Sequence, residues 1–302
     1  MMRKPLFTGC GTALVTPFKN GEVDYEALDR LVEDQIANGV TALIAVGTTG
    51  EPATMNWDEH LAVIRRVVEK ADHRVPVIAG TGSNATAEAV YAAKHSAEFG
   101  ADAQLVVTPY YNKTSQAGLV AHFNAIADAA TLPVIVYNVP SRTGLNIGPE
   151  ALAEICQHEN VIAVKEASSD VAQAMEKVRL CGDKVDFYSG NDDLVVPMMS
   201  IGFKGVISVV SNILPAETSR MANLALQGDF AGASEIQLRL LPFINALFSE
   251  TSPIPIKTAM AKVGMLEDEV RLPLVPMTEK PREKMYAIMR DLGMISSKET
   301  HR

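Results

Sequence analysis

The sequence predicts an α/β protein, a (β/α)8 TIM barrel followed by a C-terminal helical appendage. Three observations carry this reading. Eight short apolar runs, rich in β-branched residues, recur along the chain, and each leads into a longer stretch with helical spacing. Their starts lie 20 to 33 residues apart, the length of one β-α unit. The chain has 302 residues, which suits a barrel of about 250 residues with an addition.

The runs, in order, are TALVTPF (12–18), ALIAVG (42–47), VPVIAG (75–80), AQLVVTP (103–109), PVIVYNVP (133–140), VIAVKEA (161–167), VDFYSG (185–190) and GVISVVSN (205–212). They are nearly continuous in apolar character rather than alternating, as strands buried on both faces are in a helix-covered parallel sheet. The segments between them are amphipathic. DYEALDRLVEDQIANG opens with Asp24 as an expected N-cap and closes at Gly39, and NATAEAVYAAKHSAEFG runs in the same way from Asn84 to Gly100. A doubly wound open sheet is the alternative, but no GxGxxG follows the first run. Beyond about residue 213 the strand signal stops. Helical patterns follow at 215–227, 229–249, 253–264 and 279–292. The first can complete the barrel, which divides the chain into a catalytic barrel, 1–227, and a helical domain, 228–302. The polar tail SSKETHR (296–302) is expected to fray.

Composition narrows the function. Apolar residues reach 47%, enough for a large core, so disorder is excluded. The net charge of −9 speaks against a nucleic-acid partner. Cys10, Cys156 and Cys181 are odd in number and lack a CxxC, which disfavours a disulfide framework or a structural zinc. The start, MMRKPLFTGCGT, has too short an apolar stretch for a signal peptide. No run approaches the ~18 apolar residues of a membrane span. The expectation is a soluble cytoplasmic protein with no membrane partner.

In such barrels the chemistry sits where the strands end. Those ends offer Gly47-Thr48-Thr49-Gly50-Glu51, Thr108-Pro109-Tyr110-Tyr111-Asn112, Tyr137 through Gly144, Lys165-Glu166, and Ser189 through Asp193. Lys165 interrupts a run otherwise suited to a buried strand. Burial there lowers its pKa and enriches the neutral amine, which can attack a ketone and form a Schiff base. The alternative is a structural lysine paired with Glu166, yet neighbouring strand residues point to opposite faces. Tyr137 can relay protons beside that amine, with Thr48 or Thr49 as hydroxyl partner, or can simply be a core aromatic. The GTTGE loop suits a small carboxylate. Arg142, on a loop with Pro140 and Gly144, can grip a carboxylate in a forked contact, or can be an ordinary surface arginine. None of the six histidines falls at the C-terminal end of a predicted strand, which disfavours a metal-dependent aldolase.

Six motifs stand in order: GTTGE (47–51), TPYYN (108–112), YNVPSRTG (137–144), VKEAS (164–168), SGNDD (189–193) and SPIPIKTAM (252–260). Together they make the chain resemble the dihydrodipicolinate synthase/N-acetylneuraminate lyase family of pyruvate-dependent class I aldolases, over nearly its whole length. The Thr48-Thr49 pair and Arg142 resemble the branch that condenses pyruvate with L-aspartate 4-semialdehyde to 4-hydroxy-tetrahydrodipicolinate, in lysine and diaminopimelate biosynthesis. The resemblance implies that Lys165 forms the Schiff base and that Tyr137, Thr48 and Tyr111 relay protons. It implies that Thr48 and Thr49 hold the pyruvate carboxylate, that Arg142 holds that of the semialdehyde, and that Gly190 and Ile207 line the site. No metal or organic cofactor is implied. A homotetramer built as a dimer of dimers is implied, with Tyr111 reaching a neighbouring subunit's site.

The resemblance also implies an L-lysine cleft at Ala53, Trp57, His60, Asn84, Glu88 and Tyr110. Pro52 and Trp57 depart from residues frequent in lysine-sensitive members, so partial inhibition is expected. Two other readings remain at this point. One is an N-acetylneuraminate lyase or 2-keto-3-deoxy sugar acid aldolase of the same family. The other is a catalytically silent barrel with a binding or regulatory role.

Overall fold

The computed structural model describes residues 4–296. Eight parallel strands hydrogen-bond in chain order and close on themselves: β1 Gly9–Ala13, β2 Ala42–Ala45, β3 Val77–Gly80, β4 Ala103–Val107, β5 Val134–Asn138, β6 Val161–Glu166, β7 Asp186–Ser189 and β8 Gly205–Ser208. Closure pairs Gly9 through Thr12 with Gly205 through Ser208. All eight expected runs contain or overlap a strand.

The first run is displaced. It was expected over 12–18, and the strand occupies Gly9–Ala13. Glycines at 9 and 11 lower the strand signal, but the space demands one: a Cβ on Gly11 would stand 3.0 Å from the Phe7 ring. Phe7 fills the barrel floor, stacked on Tyr188 at 4.1 Å, and its carbonyl accepts the Tyr188 hydroxyl at 2.8 Å. After Leu14, whose N–H still donates to the Ile44 carbonyl at 3.0 Å, the chain leaves the barrel. Phe18–Lys19 pairs antiparallel with Glu22–Val23 in a small separate hairpin.

The first helix follows its caps. Asp24 accepts the Ala27 N–H at 3.0 Å, α1 spans Tyr25–Ala37, and Gly39 turns the chain at φ +84°. The next segment corrects an expectation. Asn84 does not cap its helix; that helix, Thr86–Glu98, starts after Ala85 with no side-chain cap. The neighbouring Ser83 hydroxyl accepts the Ala85 N–H at 3.2 Å, while the Asn84 carbonyl accepts from Asn112 at 2.9 Å. Its other end is as expected, with Gly100 at φ +83°.

The core has two layers. Inside the barrel lie Ile44, Ile78, Leu105, Ile135, Tyr137, Tyr188 and Ile207, among others. Between strands and helices lies a larger apolar shell. Burial of this apolar surface is the main stabilising term, at about 25 cal/mol per Å² removed from water.

The C-terminal helices are Pro215–Leu226, Phe230–Leu247, Ile254–Lys262 and Glu279–Asp291, each within two residues of the expected spans. Asp229 caps the second by accepting from Gly232 at 2.9 Å. That helix also grips the barrel rim: Gln237 Nε2 donates to the Asp192 carbonyl at 2.8 Å. The tail from 297 onward lies outside the described residues. No helix among the described residues is long and apolar enough to cross a membrane.

Candidate active site

β6 brings Lys165 to the C-terminal rim. The side chain is buried, and its strand neighbour across the β5–β6 ladder is Tyr137. Lys165 Nζ lies 4.3 Å from the centre of the Tyr137 ring. Burial is the largest influence on the amine and draws its pKa from 10.5 to about 7. The Arg142 cation pushes in the same direction, and the Asp192 carboxylate opposes it. Half-neutral at physiological pH, this amine is poised as a nucleophile.

Alternation along β6 separates Lys165 from its neighbour. Glu166 is fully buried on the other face, where Lys177 Nζ donates to it at 2.6 Å. Asn138 Nδ2 and the Ser168 N–H also donate to that carboxylate, at 2.9 and 2.8 Å. Glu166 is therefore occupied, and the lysine-carboxylate alternative does not apply to Lys165.

Gly190 gives Lys165 its room. A Cβ there would meet the Lys165 Cε at 3.0 Å and the Ala167 Cβ at 2.7 Å. Its N–H donates to the Glu166 carbonyl at 2.7 Å, which ties the β7 end to β6. Ile207 is buried in the barrel interior on β8, beside Gly11 of β1.

Thr48 and Thr49 open a single tight helical turn, Thr48–Gly50, at the end of β2. Thr49 is buried. Burial raises the Tyr137 pKa, and Arg142 and the nearby Thr48 hydroxyl draw it partly back. A phenol beside an amine and near a hydroxyl can pass a proton between them.

Arg142 sits in a one-turn helix, Pro140–Thr143, after β5. Its guanidinium donates to the Ser252 carbonyl of the appendage at 3.2 Å. Arg142 and Thr48 both line a cavity of about 460 Å³. The same cavity extends to Pro52, Ala53, Trp57, His60, Glu88 and Tyr110. There His60 is buried, its Nε2 is 2.7 Å from the Gly80 carbonyl, and its ring lies 4.9 Å from that of Trp57. Burial lowers the His60 pKa, so the ring is neutral near pH 7. Glu88 accepts the Ser83 hydroxyl at 2.8 Å.

Lys165, Tyr137, Thr49, Gly190 and Ile207 are not among the residues lining this cavity, and two residues expected nearer to it are not either. Asn84 is not among the residues lining the cavity. Tyr111 is 90% exposed, at φ +70°, and does not line it either.

Sequence reasoning named Asp192 without giving it a role. It is buried at the end of β7; Oδ2 accepts the Val209 and Val210 N–H groups at 2.9 Å each, and Oδ1 has no hydrogen-bond partner. Burial raises its pKa. Sequence reasoning also missed the buried lysine Lys257, paired with Glu51. The available signal was the one that revealed Lys165: a lysine inside an apolar run, here SPIPIKTAM.

Comparison with known proteins places the chain in a family. Residues 6–292 match the family described as the Dihydrodipicolinate synthetase family. The 4-hydroxy-tetrahydrodipicolinate synthase of Geobacter metallireducens is 50% identical over 290 residues, 96% of this chain and 100% of that protein. A crystal structure of the chloride-inhibited dihydrodipicolinate synthase of Acinetobacter baumannii complexed with pyruvate superposes with TM-score 0.93 at 39% identity, covering 95% of this chain and 99% of that one. The lysine-bound enzyme of Cyanidioschyzon merolae also gives 0.93 at 39% identity, covering 97% and 100%.

Proposed function

The chain belongs to the dihydrodipicolinate synthetase family, and from that premise we infer that it catalyses the 4-hydroxy-tetrahydrodipicolinate synthase reaction. This lyase-class reaction is the Schiff-base condensation of pyruvate with L-aspartate 4-semialdehyde, in lysine and diaminopimelate biosynthesis. The observation that carries it is a buried lysine amine, lowered to about 7, that lies 4.3 Å from the centre of the Tyr137 ring on the neighbouring strand.

The roles follow from the chemistry. The neutral Lys165 amine attacks the pyruvate ketone carbon, and loss of water gives the iminium. The iminium withdraws electrons, so the methyl group loses a proton and becomes an enamine. The enamine carbon attacks the aldehyde of the semialdehyde, and the resulting alkoxide takes up a proton. The semialdehyde's amine then attacks the iminium carbon, closes the ring and expels Lys165. Tyr137 and Thr48 carry the protons, with Tyr111 of the partner subunit linking them to solvent. Thr48 and Thr49 hold the pyruvate carboxylate. Arg142 holds the carboxylate of the second substrate, and Gly190 and Ile207 line the site. The barrel, 1–227, is the catalytic domain and 228–302 the helical domain.

A cytoplasmic homotetramer built as a dimer of dimers belongs to this reading, and the exposed Tyr111 phenol is free to reach a neighbouring subunit's site. The outer part of the cavity, with Ala53, Trp57, His60, Glu88 and Tyr110, takes L-lysine, as supported by the lysine-bound relative. Asn84 flanks it in sequence. A condensation assay with pyruvate and L-aspartate 4-semialdehyde tests the function. Turnover of N-acetylneuraminate in place of that condensation would overturn it.

A further inference from the structure

Glu51 and Lys257 join the loop after β2 to the appendage. Lys257 Nζ donates to Glu51 Oε1 at 2.6 Å, and both side chains are fully shielded from water. The Arg271 N–H donates to the other carboxylate oxygen at 3.3 Å. The Phe18 ring has two cations near it, Lys257 Nζ at 4.2 Å and the Arg271 guanidinium at 4.1 Å from its centre. These partners are 206 positions apart in the chain.

A buried ion pair adds little net stability, because desolvation offsets most of the Coulomb attraction. The appendage helix Ile254–Lys262 is already anchored by buried Ile254, Ile256, Ala259 and Met260. Attachment therefore does not require a charge pair at this place. What the pair touches is the turn Thr48–Gly50. Glu51 ends that turn, its N–H donating to the Thr48 carbonyl at 3.2 Å. It does so at φ +58°, a left-handed conformation uncommon for a residue with a side chain. The adjoining Gly50 carbonyl accepts the Thr16 hydroxyl at 2.8 Å. The turn is three residues long, so any relaxation of Glu51 displaces Thr48 and Thr49 directly.

We propose that the Glu51–Lys257 ion pair is a positioning pair through which the helical appendage sets the geometry of the Thr48–Thr49 loop that receives the pyruvate carboxylate. It rests on the functional reading above. Both side chains are shielded from water, so the pair acts through the Glu51 backbone rather than by contact with substrate. The pair acts by holding Glu51 in its left-handed conformation, and through it the two threonines.

The test compares three proteins by borohydride trapping over a series of pyruvate concentrations, with the KM for L-aspartate semialdehyde measured alongside. The first is native. The second is the double variant Glu51→Gln/Lys257→Met, which removes both charges at similar volume and strands neither. The third is Ile256→Ala, which loosens the same helix without touching Glu51. The expected result is a half-saturating pyruvate concentration raised about tenfold or more in the double variant, on the scale that small misplacements cost. Its KM for the semialdehyde and both constants of Ile256→Ala stay within about twofold of native. Native pyruvate affinity in the double variant, or an equal loss in Ile256→Ala, overturns the proposal. So does failure of the double variant to fold when Lys257→Met alone folds with native pyruvate affinity. Absence of any pyruvate adduct in the native protein would instead overturn the functional reading on which the pair's role rests.

Discussion

The Lys165 amine should set the pH dependence of adduct formation. Burial draws its pKa from 10.5 to about 7, with Arg142 assisting and Asp192 opposing. An ordinary lysine, pKa about 10.4, is neutral in roughly one molecule in several thousand at pH 7. An amine at about 7 is half neutral there. The burial therefore supplies roughly a thousandfold more nucleophile at neutral pH. The assay is the initial rate of pyruvate adduct formation from pH 5 to 10. The rate should rise through a midpoint near 7 and then level. Asp192→Asn removes the charge that favours the ammonium form and should move the midpoint down. Arg142→Ala removes the charge that disfavours it and should move the midpoint up. The stability sign follows from the same shift. Between about 7 and 10.5 the unfolded chain holds a proton on this amine that the folded chain lacks. The unfolded state then binds more protons, so this residue's contribution to folding becomes more favourable as pH rises. Lys165→Met should accordingly be more resistant to urea than native at pH 7, with the gap closing towards pH 10. A midpoint near 10, or variants that leave it unmoved, would mean that burial does not depress the Lys165 amine.

Three further outcomes are expected. Arg142→Ala should raise the KM for aspartate semialdehyde about ten- to a hundredfold, the effect of losing a charged hydrogen bond, while pyruvate trapping at saturating pyruvate survives; an unchanged KM would make Arg142 an ordinary loop residue. Tyr111→Phe protomers mixed with Lys165→Ala protomers should regain activity through one intact site per heterodimer, and no recovery under exchange conditions would exclude sharing of Tyr111 across subunits. L-lysine, raised to about ten times a ~1 mM KM scale, should inhibit partially, through a coupling of typically 1 to 3 kcal/mol; a flat rate curve with no heat of binding would mean that Pro52 and Trp57 close the cleft.

Much of the fold was legible because burial on both faces writes a simple signal. Seven runs lie on their strands, and the fourfold helical pattern at the C-terminus lies within two residues of its helices. The first strand was misplaced because Gly9 and Gly11 carry no apolar side chain; the reason for Gly11 is Phe7, a contact no local pattern reveals. Asn84 failed as a cap because the helix starts one residue later, after Ala85, whose N–H is taken by the Ser83 hydroxyl, an arrangement that a sequence cannot rank. Lys165 was legible as a charge in an apolar run. Lys257 carried the same signal and went unread, since its partner Glu51 is 206 residues away. The same limit hid Asp192, whose importance lies in what surrounds it: two backbone N–H groups on one oxygen and none on the other.

We infer that Lys165 is the nucleophile. Incubation with pyruvate and sodium borohydride, digestion and mass spectrometry test it most directly. The expected result is a reduced pyruvate adduct on Lys165, absent from Lys165→Ala, whose turnover should fall by several orders of magnitude. An adduct on another lysine, or full activity in Lys165→Ala, would contradict it.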